Sequence, residues 1–276
     1  MKWIKVLCLV IVGFLIMALG QAVASIWDVV VPYYGIGALL FGITYILVSL
    51  WMIRLIFKKV FKADLVDYRI TRFQWNKTAF LIALALPIGI YAVYILFVPG
   101  EWITHLNGSK SELLNQLSWS IFVNAMGAAV VEECICRGLL MGYIEKQWNI
   151  QIAIMMTSVF FAAIHLLNGV SDFYDVLLLL MSGSLVGIMF GLLVYVFKTI
   201  WASIIVHFFW NLFQVIQFST NPHEAAPLIY LMKIQVRWIT GGDYGIETSV
   251  ISILGYLIVI LILMFYYFKQ REQRIH

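Results

Sequence analysis

Little of this sequence is charged. Asp, Glu, Lys and Arg make up 12% of its 276 residues, half of the roughly 25% found in a soluble domain. So few charges cannot cover a surface around 63% hydrophobic residues, and a soluble core of this size could not hide them all. A secreted, cytosolic or disordered chain is excluded, and a polytopic membrane protein is indicated. Cysteine is scarce too. Cys8, Cys134 and Cys136 lie in apolar runs, Cys134-Ile135-Cys136 lacks the spacing of a zinc or redox pair, and no disulfide framework follows. A basic patch is missing: the net charge is only +4, and the cations are not interleaved with aromatics, so no nucleic-acid partner is expected. Several motifs are also absent. There is no H-E-x-x-H, no P-loop, no G-x-S-x-G elbow and no pair of Asp residues at matched positions in two helices.

What is present is apolar length, with a mean hydropathy of +0.96. A spanning helix needs about 20 mostly apolar residues. Eight segments meet or approach this: 3–25, 33–57, 78–98, 116–145, 150–168, 173–197, 200–219 and 249–268. The expected fold is an all-α polytopic bundle of about eight transmembrane helices. With the N-terminus inside, all of the 18 Lys and Arg residues except Lys110, Lys233, Arg237 and the in-span Arg137 fall on the inner side. The positive-inside rule thus supports eight spans with both termini cytoplasmic. Lys2 and Lys5, the run from Val6 to Leu19 and then Ala22-Val23-Ala24 have the form of a signal peptide; we read them as an uncleaved anchor. Residues 58–77 form a basic inner loop, and residues 220–248 the longest outer loop. No internal repeat or low-complexity tract is visible. Asn107-Gly108-Ser109 spells a glycosylation sequon.

Ionisable groups inside spans cost about 2.5–3.5 kcal/mol each on insertion scales. This chain places Glu132, Glu133 and Arg137 in the fourth segment, His165 in the fifth and His207 in the seventh, with Asn211 nearby. Glu133 and Arg137 stand at i, i+4 on one helical face, acid before base, and can neutralise each other. Glu132 is rotated by about 100° and has Cys136 at its i+4 position, so it is left over. An unpaired carboxylate in such a place suits a general base. Phe161 and His165 share a face, as do His207 and Asn211. The latter two suit either interhelical hydrogen bonding or the stabilisation of an oxyanion. Gly183, Gly187 and Gly191, with Ser182 and Ser184 beside them, form a small-residue stripe that reads as close helix packing.

Together, Glu132-Glu133-x-x-x-Arg137, Phe161-x-x-x-His165 and His207-x-x-x-Asn211 resemble the signature of the CPBP family, the CAAX proteases and bacteriocin-processing enzymes also called Abi proteins. The resemblance covers residues 117–215. It implies a membrane-embedded glutamic-type endopeptidase in which Glu132 activates a water, assisted by His165. His207 and Asn211 would form the oxyanion hole, and Glu133, Arg137 and Phe161 would support the site. No cofactor is implied, with zinc on Glu and His ligands as the alternative. The expected partners are the lipid bilayer and a membrane-embedded or lipid-associated peptide substrate.

Residues 116–219 are therefore expected to form the catalytic core. Residues 1–115 carry three further spans and the basic loop, and residues 220–276 the outer loop, the last span and a basic tail. The expected location is a bacterial cytoplasmic membrane. The competing reading is a non-catalytic self-immunity or scaffold protein of the same family. A transporter would call for repeats. One geometric condition follows. His165 lies near the outer end of its segment and Glu132 past the midpoint of a long one. They meet only if the fourth helix passes beyond the inner face or the fifth is set deep.

Overall fold

The computed structural model describes residues 2–31, 35–104, 110–170, 172–224 and 226–273; the sequon at 107–109 and Arg274 lie outside them. The apolar segments fold as helices α1 (Lys2–Ala24), α2 (Ile36–Ile56) and α3 (Lys77–Phe97). They are followed by α4 (Lys110–Gln147), α5 (Ile150–His165), α6 (Phe173–Phe197), α7 (Trp201–Phe213) and α8 (Val250–Glu272). Start signals are local: Asn76, Asn149, Asp172 and Ser249 each accept a backbone N–H of the first turn with the side chain. Large apolar side chains such as Leu96, Phe97, Leu261 and Phe265 point outward, as lipid-facing residues do.

Among the described residues, seven helices are long and apolar enough to cross a bilayer. The exception is α7, whose 13 residues span only about 20 Å of a hydrocarbon layer of about 30 Å. The expected span at 200–219 is helical only to Phe213. Its end, rich in β-branched and aromatic residues, leaves the helix and becomes strand β2 (Ile216–Ser219). β2 pairs in parallel with β3 (Leu228–Met232), which pairs antiparallel with β1 (Gly100–Thr104), so the sheet order is β1-β3-β2. This small sheet departs from the expectation: β1 and β3 fall in stretches expected as outer loop, and β2 at the end of one expected as a span.

The chain still alternates between two ends. At one end Lys2 Nζ donates to the Gln147 carbonyl, and Arg69 makes two hydrogen bonds to Glu145. Ile200 N–H donates there to the Arg69 carbonyl, and Tyr195 contacts Tyr267. The start of α1 and the end of α8 thus share the end that carries the basic loop. The sheet occupies the other end, where Tyr94 of α3 donates to the Ile239 carbonyl and Arg237 pairs with Asp172 at the start of α6.

α4 is the longest of these helices, with 38 residues, and its last turns pack against the inner loop. There Tyr68 packs against Gly142, Arg69 grips Glu145, and Lys146 lies over the Tyr68 ring. Counted from the turn at Trp148-Asn149, Glu132 and His165 lie equally far up their helices, so the α4–α5 hairpin sets them level. α6 then closes on α5 along its glycine stripe, Gly183 against Ala162, Gly187 against Ser158 and Gly191 against Ile154, which is the close packing expected.

Candidate active site

α4 is not a uniform helix. It is wound as π-helix over Trp119–Gly127 and Cys134–Leu140, with α-helical turns at Ala128–Glu133 between. π-segments re-aim side chains and occur often at functional sites. Here they bracket the two acids, which point to different surroundings.

Glu133 is fully buried, as is Arg137. Arg137 Nη1 donates to Glu133 Oε1 at 3.1 Å, and Nη2 donates to the Gly187 carbonyl at 3.2 Å. The guanidinium lies over the rings of Phe161 and Phe190, at 4.4 and 5.2 Å from their centroids. The i, i+4 pair read from the sequence is therefore formed, although Arg137 stands in a π-segment. Glu133 Oε1 also lies 3.1 Å from Nδ1 of His207.

Glu132 keeps 23% of its side chain exposed and lies 4.0 Å from Nε2 of His207. His207 thus stands between the two acids. Its ring is stacked on Phe190 at 4.8 Å and meets Phe161 edge-on, so its orientation is fixed by packing as well as by Glu133. His165 Nδ1 lies 2.7 Å from the Phe161 carbonyl. With the proton on that nitrogen, Nε2 is left as the acceptor. Asn211 Nδ2 donates to the Asn124 carbonyl at 2.9 Å, so one of its two amide protons is engaged within the bundle.

Glu132, Phe161, His165, His207 and Asn211 line one cavity of about 210 Å³. Glu133 and Arg137 lie behind its wall. Among the described residues, no group of three or more His, Cys, Asp or Glu side chains is placed to hold a metal ion.

The same cavity is lined by residues that sequence reasoning passed over. Glu247 accepts a hydrogen bond from Gln214 Nε2 at 2.9 Å and another from the Trp210 indole. Tyr244 donates to the His165 carbonyl. Both precede α8, in the stretch expected as outer loop, and no motif marks them; the one signal is an acid three residues before an apolar run. Tyr45 of α2, hydrogen-bonded to Gln21 of α1, stands close enough to Glu132 to feel its charge, so the first two helices reach the site. The outer end is tied by Arg237, which pairs with Asp172 and Asp175. The backbone N–H of Asp175, and further the Arg237 guanidinium, hold the Asp172 carboxyl below the usual carboxylate range.

Seven helices long and apolar enough to cross a bilayer, with two adjacent acids, two histidines and an arginine at or behind the wall of one cavity, define the class: a polytopic membrane protein with a candidate hydrolytic site. Residues 114–213 match the family described as type II CAAX prenyl endopeptidase Rce1-like, the stretch that carries all three motifs resembling the CPBP/CAAX protease signature. The match supports an intramembrane endopeptidase at the level of that family. Nothing matches among curated proteins or among solved structures.

Proposed function

We propose that the chain hydrolyses peptide bonds of membrane-associated peptides or proteins by a metal-independent mechanism in which Glu132 activates water. The observation that supports this reading is the division between neighbouring acids. Glu133 is sealed and neutralised by Arg137, while Glu132 opens on the cavity that His165 and His207 share.

Each step then has a group. A water held by Glu132 attacks the scissile carbonyl carbon, and its proton passes to the carboxylate. The charge that develops on the carbonyl oxygen is met by Nε2–H of His207 and by the second amide proton of Asn211. Glu133, anchored on Arg137, fixes His207, which acts in this step as the doubly protonated imidazolium, with Nδ1–H toward the buried carboxylate and Nε2–H toward the cavity. When the tetrahedral intermediate collapses, the C–N bond breaks. The proton taken from water is delivered to the leaving amine, with the acceptor nitrogen of His165 as the shuttle. Burial away from bulk water strengthens each of these interactions.

The test compares membrane and secreted peptides of host cells carrying the wild type or Glu132→Gln at matched expression. Precursors that accumulate with Glu132→Gln, and whose processing by the wild type withstands a zinc chelator, establish both the protease and its metal independence. Identical peptide sets, alongside a phenotype on deletion of the gene, would hand the lead to the immunity or scaffold reading.

A further inference from the structure

β2 is an edge strand. In the order β1-β3-β2 only β3 pairs with it among the described residues. Ile216, Gln217, Phe218 and Ser219 all line a second cavity, of about 440 Å³. Successive side chains of a strand point to opposite faces, so a cavity that meets four in a row meets the edge of the strand and its backbone groups. This cavity and the one holding Glu132 have Trp210, Gln214, Tyr244 and Glu247 in common. The strand edge therefore borders a space that adjoins the candidate active site across these four side chains. Its charge has one sign: Glu224, Asp243 and Glu247 line it, and no Lys, Arg or His does.

We propose that this edge docks the substrate itself: an extended peptide segment adds beside β2 as a fourth strand and carries a Lys or Arg toward Glu224 and Glu247. The inference rests on the proteolytic reading above and names the substrate class of that site. The physical reason is that a scissile bond must leave any helix before water reaches it, and the freed N–H and C=O groups then need partners at the membrane boundary. A strand edge supplies them, and main-chain hydrogen bonds of this kind bind a peptide whatever its side chains. The four residues of β2 offer about 13 Å of edge, and the acidic lining adds the preference for a cation. Glu247, held by Trp210 and Gln214 where the two cavities meet, would be the specificity-determining residue closest to the scissile bond.

The test uses the full chain in lipid nanodiscs with Glu132→Gln, so that bound peptide is not cut. Three pools of random decapeptides with a terminal photoreactive group serve as probes. One has a fixed central Lys, one a fixed central Glu, and one the central Lys with an N-methylated backbone. The Lys pool should label residues 216–221 about tenfold more than either other pool, the worth of one charge-assisted hydrogen bond. Glu224→Lys should remove the preference for Lys over Glu. Labelling equal in all pools, or falling on the lipid-facing helices or another copy of the chain, overturns the proposal. Cleavage of the Lys pool by the wild type is read separately. Labelling at 216–221 without cleavage keeps the docking edge and sinks the protease alone.

Discussion

Nδ1 of His207 sits 3.1 Å from the carboxylate of Glu133, and that contact joins the buried ion pair to the open side of the site. Arg137 neutralises Glu133, Glu133 orients His207, and the opposite nitrogen of the ring stands 4.0 Å from Glu132. The two adjacent acids therefore answer differently to the same change. Removing one partner of a buried pair strands the other charge and costs about 3–5 kcal/mol. Arg137→Leu and Glu133→Leu should each lower the unfolding temperature of the reconstituted protein sharply, and the double variant should recover part of the loss. Glu132→Gln should unfold like the wild type while losing turnover. A large stability loss for Glu132→Gln would show that this acid is structural.

Asn211 separates stability from rate in another way. Its bond to the Asn124 carbonyl ties α7 to the first π-segment of α4, and its second amide proton is the proposed oxyanion donor. Loss of one such donor lowers kcat by about 10²–10³-fold. Asn211→Leu should show that fall in kcat with little change in KM. A variant with wild-type kcat would remove Asn211 from the oxyanion hole.

Gly187 is held by contacts on two sides. A Cβ at this position would lie 2.7 Å from the Ser158 Cα on α5, and its own carbonyl receives Arg137 Nη2. Gly187→Val should therefore destabilise the bundle by overpacking, by about 1–3 kcal/mol. It should also disturb Arg137, so that turnover falls further than for an equal insertion at Gly191, whose nearest neighbours are side-chain atoms of Ile154. Equal effects at the two positions would deny the link between the stripe and the ion pair.

The helices were legible because the bilayer demands about 20 apolar residues per crossing and because charge marks the loops. The Glu133–Arg137 pair was legible because i, i+4 spacing is local. The end of α7 was not. Hydropathy treats the apolar run from Trp201 to Ser219 as one unit, whereas the backbone changes from helix to strand once β3 is there to pair with it. Glu247 and Tyr244 escaped for the same reason. Their approach to His165 and Gln214 follows from how the segment between α7 and α8 folds back, which no periodicity encodes. The meeting of Glu132 with His165 lay between these cases: the equal arms of the α4–α5 hairpin could be counted, but only once the turn at Trp148-Asn149 was fixed.

Asp172 gives the outer end of the bundle a pH dependence of definite sign. Its carboxylate accepts the backbone N–H of Tyr174 and of Asp175 at the start of α6 and pairs with Arg237. These contacts, led by the Asp175 N–H, lower its folded pKa. A carboxyl whose pKa is lower folded than unfolded adds stability above its ordinary pKa of about 3.9. That contribution is lost as the pH falls through the lower folded value. Asp172→Asn keeps an oxygen for the helix cap but discards the charge, while Asp175 remains in both proteins and cancels in the comparison. The wild type should thus unfold at a higher temperature than Asp172→Asn at neutral pH. The gap should close as the pH is taken down through the acidic range. A gap that stays constant with pH would show that Asp172 acts only as a cap and that its pairing with Arg237 contributes nothing to holding the outer loop on α6.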